Sequence, residues 1–253
     1  MAKKLHDQRL VKDQIAFFLL IKKLGIEKNI QAGNYQISPS QNATEIALAL
    51  TNGTDDLKIT IIEGLRSEEI LEQLQKEKID DGNWKMETEV RNWKADEGKL
   101  FPDTYFVPKQ ITISEVHELM LKNFVSKFTS QMQADLTKTG LTPDQTIVLA
   151  SLLEREGKSV EERAMIADVL SKRLKAGTSL DIDATVQYIL GKQPSGSWWK
   201  KDLTLEDLKV KSPYNTYQNP GLPPGPISNP GLAALNAAVY PQSNPYYYYI
   251  HDK

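Results

Sequence analysis

The chain has no cysteine and three histidines, His6, His117 and His251. Without cysteine there can be no disulfide, zinc knuckle, iron–sulfur cluster or thiol nucleophile, and the redox compartment stays open. Three histidines scattered along the chain give poor support to a His-based metal site or a Ser-His-Asp triad, so the expectation is no metal site. Charge of one sign is also missing: 31 Lys and Arg against 33 Asp and Glu leave a net charge of −2. No pull toward nucleic-acid phosphate is built into the molecule, and no nucleic-acid partner is expected. Nor is there a long hydrophobic run. The longest strongly apolar stretch, IAFFLLI at 15–21, is closed by Lys22 and Lys23, whereas a membrane span needs about 20 such residues. The opening MAKKLHDQRLVKDQ lacks the small-residue cleavage site of a signal peptide. Chemistry here must rest on carboxylates, hydroxyls, amides or lysines.

What remains is an ordinary globular composition, 40% hydrophobic and 25% charged over 253 residues, enough for one large or two modest domains. Residues 14–24 read as a helix, followed by a short strand signal at 33–37. Asn42 and Glu45 make a capping pair for a helix ending near Leu50, with Gly53 beyond it. Apolar KITII at 58–62 reads as a strand, Gly64 as a turn and Ser67 as the start of a helix through Leu74. Glu45-Ile46 with Leu50 recurs 24 residues later as Glu69-Ile70 with Leu74. Two such strand–helix units suggest a small α+β module.

Residues 80–99 are polar apart from Trp84 and Trp93, and prolines 102 and 108 exclude a central strand in LFPDTYFVPK, which reads as an ordered crossing. Residues 113–135 then read as one long amphipathic helix on which His117 is a packed or solvent-side residue. Thr142-Pro143-Asp144-Gln145 opens a helix stopped by Gly157; Ser159 and Glu162 open another that Gly177 ends. TSLDIDATVQYILG reads as a short strand and a helix capped by Asp183. A last helix over 232–239 precedes a strand-like Tyr246 to Ile250.

At about 100° per residue, Ile147, Val148, Leu149, Leu152 and Leu153 surround the helix that follows Thr142, which predicts that it is buried. Glu154 falls between Ala150 and Ser151, so its carboxyl points over a small-residue side that leaves room for a ligand. Desolvation and the negative end of the helix dipole both raise its affinity for a proton, which is what a general acid requires. The alternative is a structural ion pair with Arg155, Arg163 or Arg173 that locks helices together. Glu156 faces elsewhere. The stretch SPYNTYQNPGLPPGPISNP at 212–230 has rigid turns, aromatic faces and amides suited to a glycan groove, or else forms a surface loop stiffened by proline. Trp198 and Trp199 have the same two readings.

Several segments in order resemble the endolytic murein transglycosylase, or YceG-like, family: GNYQISP at 33–39, IIEGLRSEEI at 61–70, LFPDTY at 100–105, LASLLEREG at 149–157, Arg173-Leu174 with Gly177, the Asp183-x-Thr185-Val186 turn, PYNTY, and GLPPGPISNPG. The resemblance implies an α+β fold in which a small LysM-like module, residues 1–82, precedes a mixed α+β catalytic domain, residues 83–253. It implies an enzyme that cuts within peptidoglycan strands on the outer face of the cell membrane, needing no cofactor. The family's catalytic glutamate falls on Glu154, and its glycan cleft on Asp183, Tyr214, Asn215, Thr216 and Tyr217. Peptidoglycan synthases are the partners this suggests. The chain departs from the pattern at Ala184, where proline is usual, and at Arg155, where lysine is. The family's transmembrane helix is expected before Met1 and a tail with His and Asn after Lys253, so the sequence reads as a soluble ectodomain.

A hydrolase commonly needs two carboxyl groups, whereas a lytic transglycosylase works with one. In that mechanism Glu154 protonates the oxygen between N-acetylmuramic acid and N-acetylglucosamine. It then takes the proton of the muramic 6-hydroxyl, which closes on its own anomeric carbon to leave a 1,6-anhydro end. The alternatives are a non-catalytic peptidoglycan-binding protein with a LysM-like module, an ordinary muramidase, and a scaffold for wall synthesis.

Overall fold

The computed structural model describes residues 1–30, 33, 35, 37–51, 56–79 and 85–250. Asn34, Gln36, Gly53, Trp84 and His251 lie outside them, and with them part of the strand expected at 33–37. The fold is α+β. Two compact units emerge from the backbone, one of residues 1–59 and 104–111, the other of residues 60–103 and 112–253.

In the first unit, α1 (Ala2–Asp7), α2 (Gln14–Lys23) and α3 (Ala43–Ala49) enclose a core of Leu5, Phe17, Ile21, Ile46 and Leu50. The Asp13 side chain caps α2 by accepting from the amides of Ile15 and Ala16. Asn42 and Glu45 form the reciprocal box expected for α3. Strand β1 (Asp56–Thr60) starts two residues before the predicted KITII and pairs with β2 (Thr104–Pro108). Residues 104–108, expected to be a crossing, are therefore a strand. A two-stranded sheet has only edges, so Pro108 at the strand end costs no ladder bond.

The second unit carries the remaining helices: α4 (Ser67–Lys76), α5 (Met86–Ala95), α6 (Ile113–Lys127), α7 (Ser130–Asp135), α8 (Pro143–Glu156), α9 (Val160–Ala176), α10 (Asp183–Leu190) and α11 (Leu232–Val239). Helix α8 is the axis. Thr146 through Leu153 are all buried on it, with α9, α10 and α11 packed around it. The Thr142–Gln145 box and Pro143 open α8; Ser159 and Glu162 open α9, and Gly177, at φ +67°, ends it.

Four expectations are corrected. Residues 80–99 include α5, whose Met86, Val90 and Trp93 share one face; Trp93 is buried and stacks on His117 at 4.9 Å. The helix predicted over 113–135 breaks at Phe128, because the Thr129 hydroxyl caps a new helix by accepting from the Met132 amide at 3.2 Å. No strand forms before α10, and Asp183 is its first residue rather than its cap, its carboxylate being committed to Tyr217. Tyr246 to Ile250 is not a strand: Tyr246, Tyr247 and Tyr248 are exposed, while Asn244 ties the segment to α9 through Asp168, Lys172 and Met165. Among the described residues no helix is long and apolar enough to cross a membrane.

Candidate active site

Glu154 sits on the last turn of α8 with a side chain only 4% exposed. Its Oε1 accepts from Arg163 Nη2 at 2.6 Å, and its Oε2 from the backbone N–H of Gly231 at 2.9 Å. Gly157, the residue that stops α8, makes the first contact possible. A Cβ there would stand 2.4 Å from Cγ of Arg163, so the arginine stem runs where a side chain would be. Of the three arginines that the sequence offers Glu154, Arg163 pairs with it. Arg155 stacks its guanidinium on Trp199, 3.9 Å from the ring centre, and Arg173 pairs with Asp181.

The second contact depends on the loop 227–231, which is buried and laced to α8. The Ser151 hydroxyl donates to the Val148 carbonyl and accepts from the Ile227 amide at 3.1 Å, and the Ser228 hydroxyl donates to the Ser151 carbonyl. The space over the small side of α8 is therefore filled by the chain's own loop instead of being left for a ligand at that point. Asn229, fully buried, is the hub. Its Oδ1 accepts from the amides of Gly98 and Leu100, its Nδ2 donates to the Leu65 carbonyl and Glu97, and its backbone pairs with Gly64 and Leu65. The turn at 63–65 is thereby held against the loop.

That turn brings a second carboxyl group. Glu63 is exposed, and its Oε1 would lie 1.8 Å from a Cβ on Gly231, so its carboxyl rests on the bare Cα of the glycine that binds Glu154. Backbone dimensions put the two carboxyl groups within about 7 Å of each other. Burial pushes the Glu154 carboxyl above the ordinary glutamate range. The Gly231 N–H and the Arg163 and Arg155 charges pull it down, while Glu63 adds to the upward push. The net direction is up, the condition for a group that gives a proton near neutral pH.

The expected glycan-cleft residues fall into separate neighbourhoods. The Tyr217 hydroxyl donates to Asp183 at 2.6 Å; Asp183 is exposed, and Glu156 lies close by with Tyr249 donating to it. Asn215 and Thr216 are buried: Nδ2 of Asn215 donates to the carbonyls of Leu208 and Val210, and the Thr216 hydroxyl accepts from the Ile182 amide and meets that of Thr185. These two shape the loop from within. Tyr214 packs tilted against Tyr188, ring centres 5.1 Å apart, and lines a cavity of about 390 Å³ with Lys94, Glu97 and Pro226. Trp198 and Trp199 anchor their segment on Arg66 and Arg155, and the Trp199 indole N–H donates to Glu69 at 3.0 Å.

Sequence reasoning did not single out Glu63, Glu97 or Asn229. Glu63 and Asn229 stand in IIEGLR and PISNPG, segments valued for their order along the chain, and nothing local shows that they meet.

The whole chain, residues 1–253, matches the sequence model of the YceG-like family. A Bacillus subtilis (strain 168) protein named endolytic murein transglycosylase is 32% identical over 250 residues, which cover 94% of this chain and 66% of that protein. A protein of the same name from Streptococcus pneumoniae D39 is 32% identical over 156 residues, 62% of this chain and 28% of that one. The chain thus spans just under two thirds of the Bacillus relative and less than a third of the streptococcal one. The 2.6 Å crystal structure of a yceG-like protein from Listeria monocytogenes superposes with a TM-score of 0.65 at 28% identity, covering 99% of this chain and 89% of that one. Matched along its entire length in sequence, and in fold by a solved relative, the chain belongs to the YceG-like family.

Proposed function

We propose that this chain carries an endolytic peptidoglycan lytic transglycosylase activity, with Glu154 as the one group that first gives and then takes the proton. The observation that carries this reading is the state of that carboxyl: nearly excluded from solvent, raised in proton affinity, and oriented through both oxygens by Arg163 and Gly231. In the first step the Glu154 proton passes to the glycosidic oxygen between N-acetylmuramic acid and N-acetylglucosamine as the anomeric C–O bond breaks. In the second, the muramic 6-hydroxyl oxygen bonds to the anomeric carbon and its proton returns to Glu154. No water is consumed, and the product ends in a 1,6-anhydro ring. The names of the Bacillus and streptococcal relatives support the same reaction class.

Asp183 and Tyr217 present a carboxylate and a phenol at the surface and suit sugar hydroxyls and acetamides, with Tyr214 offering a ring face. Asn215 and Thr216 serve the same cleft by setting the loop that carries Tyr214 and Tyr217. The first eighty-two residues, LysM-like by resemblance, would hold the strand, and the whole would work at the outer face of the cell membrane beside peptidoglycan synthases.

The test is mass spectrometry of purified peptidoglycan after incubation with this chain and with Glu154→Gln. New anhydro-muramic ends from the first protein alone are expected. Full activity of the variant would remove Glu154 from the mechanism, reducing ends would make the protein a muramidase, and binding without products would make it a wall-binding protein.

A further inference from the structure

The carboxylates near Glu63 have clear employment. Glu68 pairs with Arg66 and Lys94, Glu69 accepts from the Arg66 amide and Trp199, and Glu97 accepts from Ser67 and Asn229. Glu63 has no hydrogen bond or ion pair to any described residue, yet its place is built. Gly231 supplies a niche that any side chain would close, and Gly64, at φ +78°, sets the turn, its Cα side lying in ordinary contact range of Cγ of Glu154. One glycine thus separates two carboxyl groups, its N–H bound to Glu154 and its Cα covered by Glu63.

Two carboxyl groups so close repel when both are ionised, so the arrangement costs stability rather than adding to it. Glu63 is exposed, while Glu154 is buried and raised in proton affinity. That division suits a reaction in which one group must be an acid while positive charge grows on a sugar ring beside it.

We propose that Glu63 is a second acidic residue of this site, a carboxyl group that stabilises the positive charge developing on the glycosyl ring as Glu154 transfers its proton. The proposal rests on the transglycosylase reading above. Charged groups face Glu154 from three elements: Arg163 from α9, Arg155 from α8 itself, and Glu63 from the turn before α4. The loop 227–231 presents only the Gly231 amide.

The experiment compares the wild-type chain with Glu63→Gln and Gly231→Ala. The first removes the charge; the second keeps it but pushes the carboxyl out of its niche. For each, anhydro-end formation is followed across pH, and the Glu154 carboxyl is titrated by 13C NMR. Expected are a fall in kcat of about 100-fold in both variants with KM little changed, an alkaline limb moved to lower pH, and a Glu154 titration moved the same way. Since Glu63 is exposed and its charge repels that of Glu154, Glu63→Gln should melt no lower than the wild type. Unchanged kcat and unchanged Glu154 titration in Glu63→Gln would overturn the proposal, as would a change confined to KM. If the wild-type chain forms no anhydro ends, the transglycosylase reading fails, and the titration still decides whether Glu63 acts on Glu154.

Discussion

Arg163 Nη2 reaches Oε1 of Glu154 at 2.6 Å across the joint between α8 and α9, and the bare backbone of Gly157 makes the approach possible. The arginine orients the carboxyl and also opposes its protonation, so the acid works against a cation held beside it. Burial and Glu63 outweigh that opposition.

Arg163→Met removes the opposing charge. Because Arg163 holds the Glu154 proton affinity down, its loss should move the alkaline limb of activity to higher pH, the reverse of the Glu63→Gln effect. Losing a buried hydrogen bond to a charged group should also lower stability by about 2 kcal/mol. A pH–rate profile together with urea unfolding checks both.

Asn229→Ala should be among the most damaging changes outside the acid itself. It strands the buried amides of Gly98 and Leu100, whose acceptor is Asn229 Oδ1. At about 1–3 kcal/mol for each unsatisfied group, a loss of roughly 4 kcal/mol is expected in urea unfolding. Activity should fall further than stability explains, because Asn229 holds the turn of Glu63 to the loop of Gly231.

Glu97 gives stability a pH dependence of its own. Burial, with the nearby Glu68 charge, lifts its carboxyl from 4.5 to about 7. The folded state therefore holds this proton more tightly than the unfolded state does. The contribution is fully present below pH 4.5 and is lost as pH rises from 4.5 through about 7, a change of about 3 kcal/mol. Glu97→Gln keeps a neutral, hydrogen-bonding side chain and should remove this part of the slope. Thermal or urea unfolding at pH 4 to 8 for the two proteins gives the difference directly.

Tyr217→Phe deletes the hydroxyl that donates to Asp183. With Asp183 exposed, a stability change under about 1 kcal/mol is expected. If the pair lies on the glycan path, binding of an uncleaved strand should weaken several-fold while kcat holds. Titration with glycan fragments separates the two effects.

The boundaries of α8 and α9 and the start of α3 were legible in the sequence because they are written locally. A cap and its reciprocal partner are three residues apart, and a stop glycine lies just beyond the last turn. The burial of α8 on all sides was legible for the same reason, since periodicity is a property of one segment. Helix α5 was obscured by its charged residues, and β2 by prolines that an edge position tolerates.

The sequence by itself determined which residue could serve as a buried acid: a glutamate on the last turn of an apolar helix can be named without any partner. Only the tertiary structure decided what surrounds it. Glu63 and Gly231, like Pro226 and Gly98, are far apart along the chain and meet through close approaches that a side chain at Gly231 or Gly98 would block. Such approaches leave no periodicity and no local hydrogen bond to read. They exist because folding brings two turns and a helix end together.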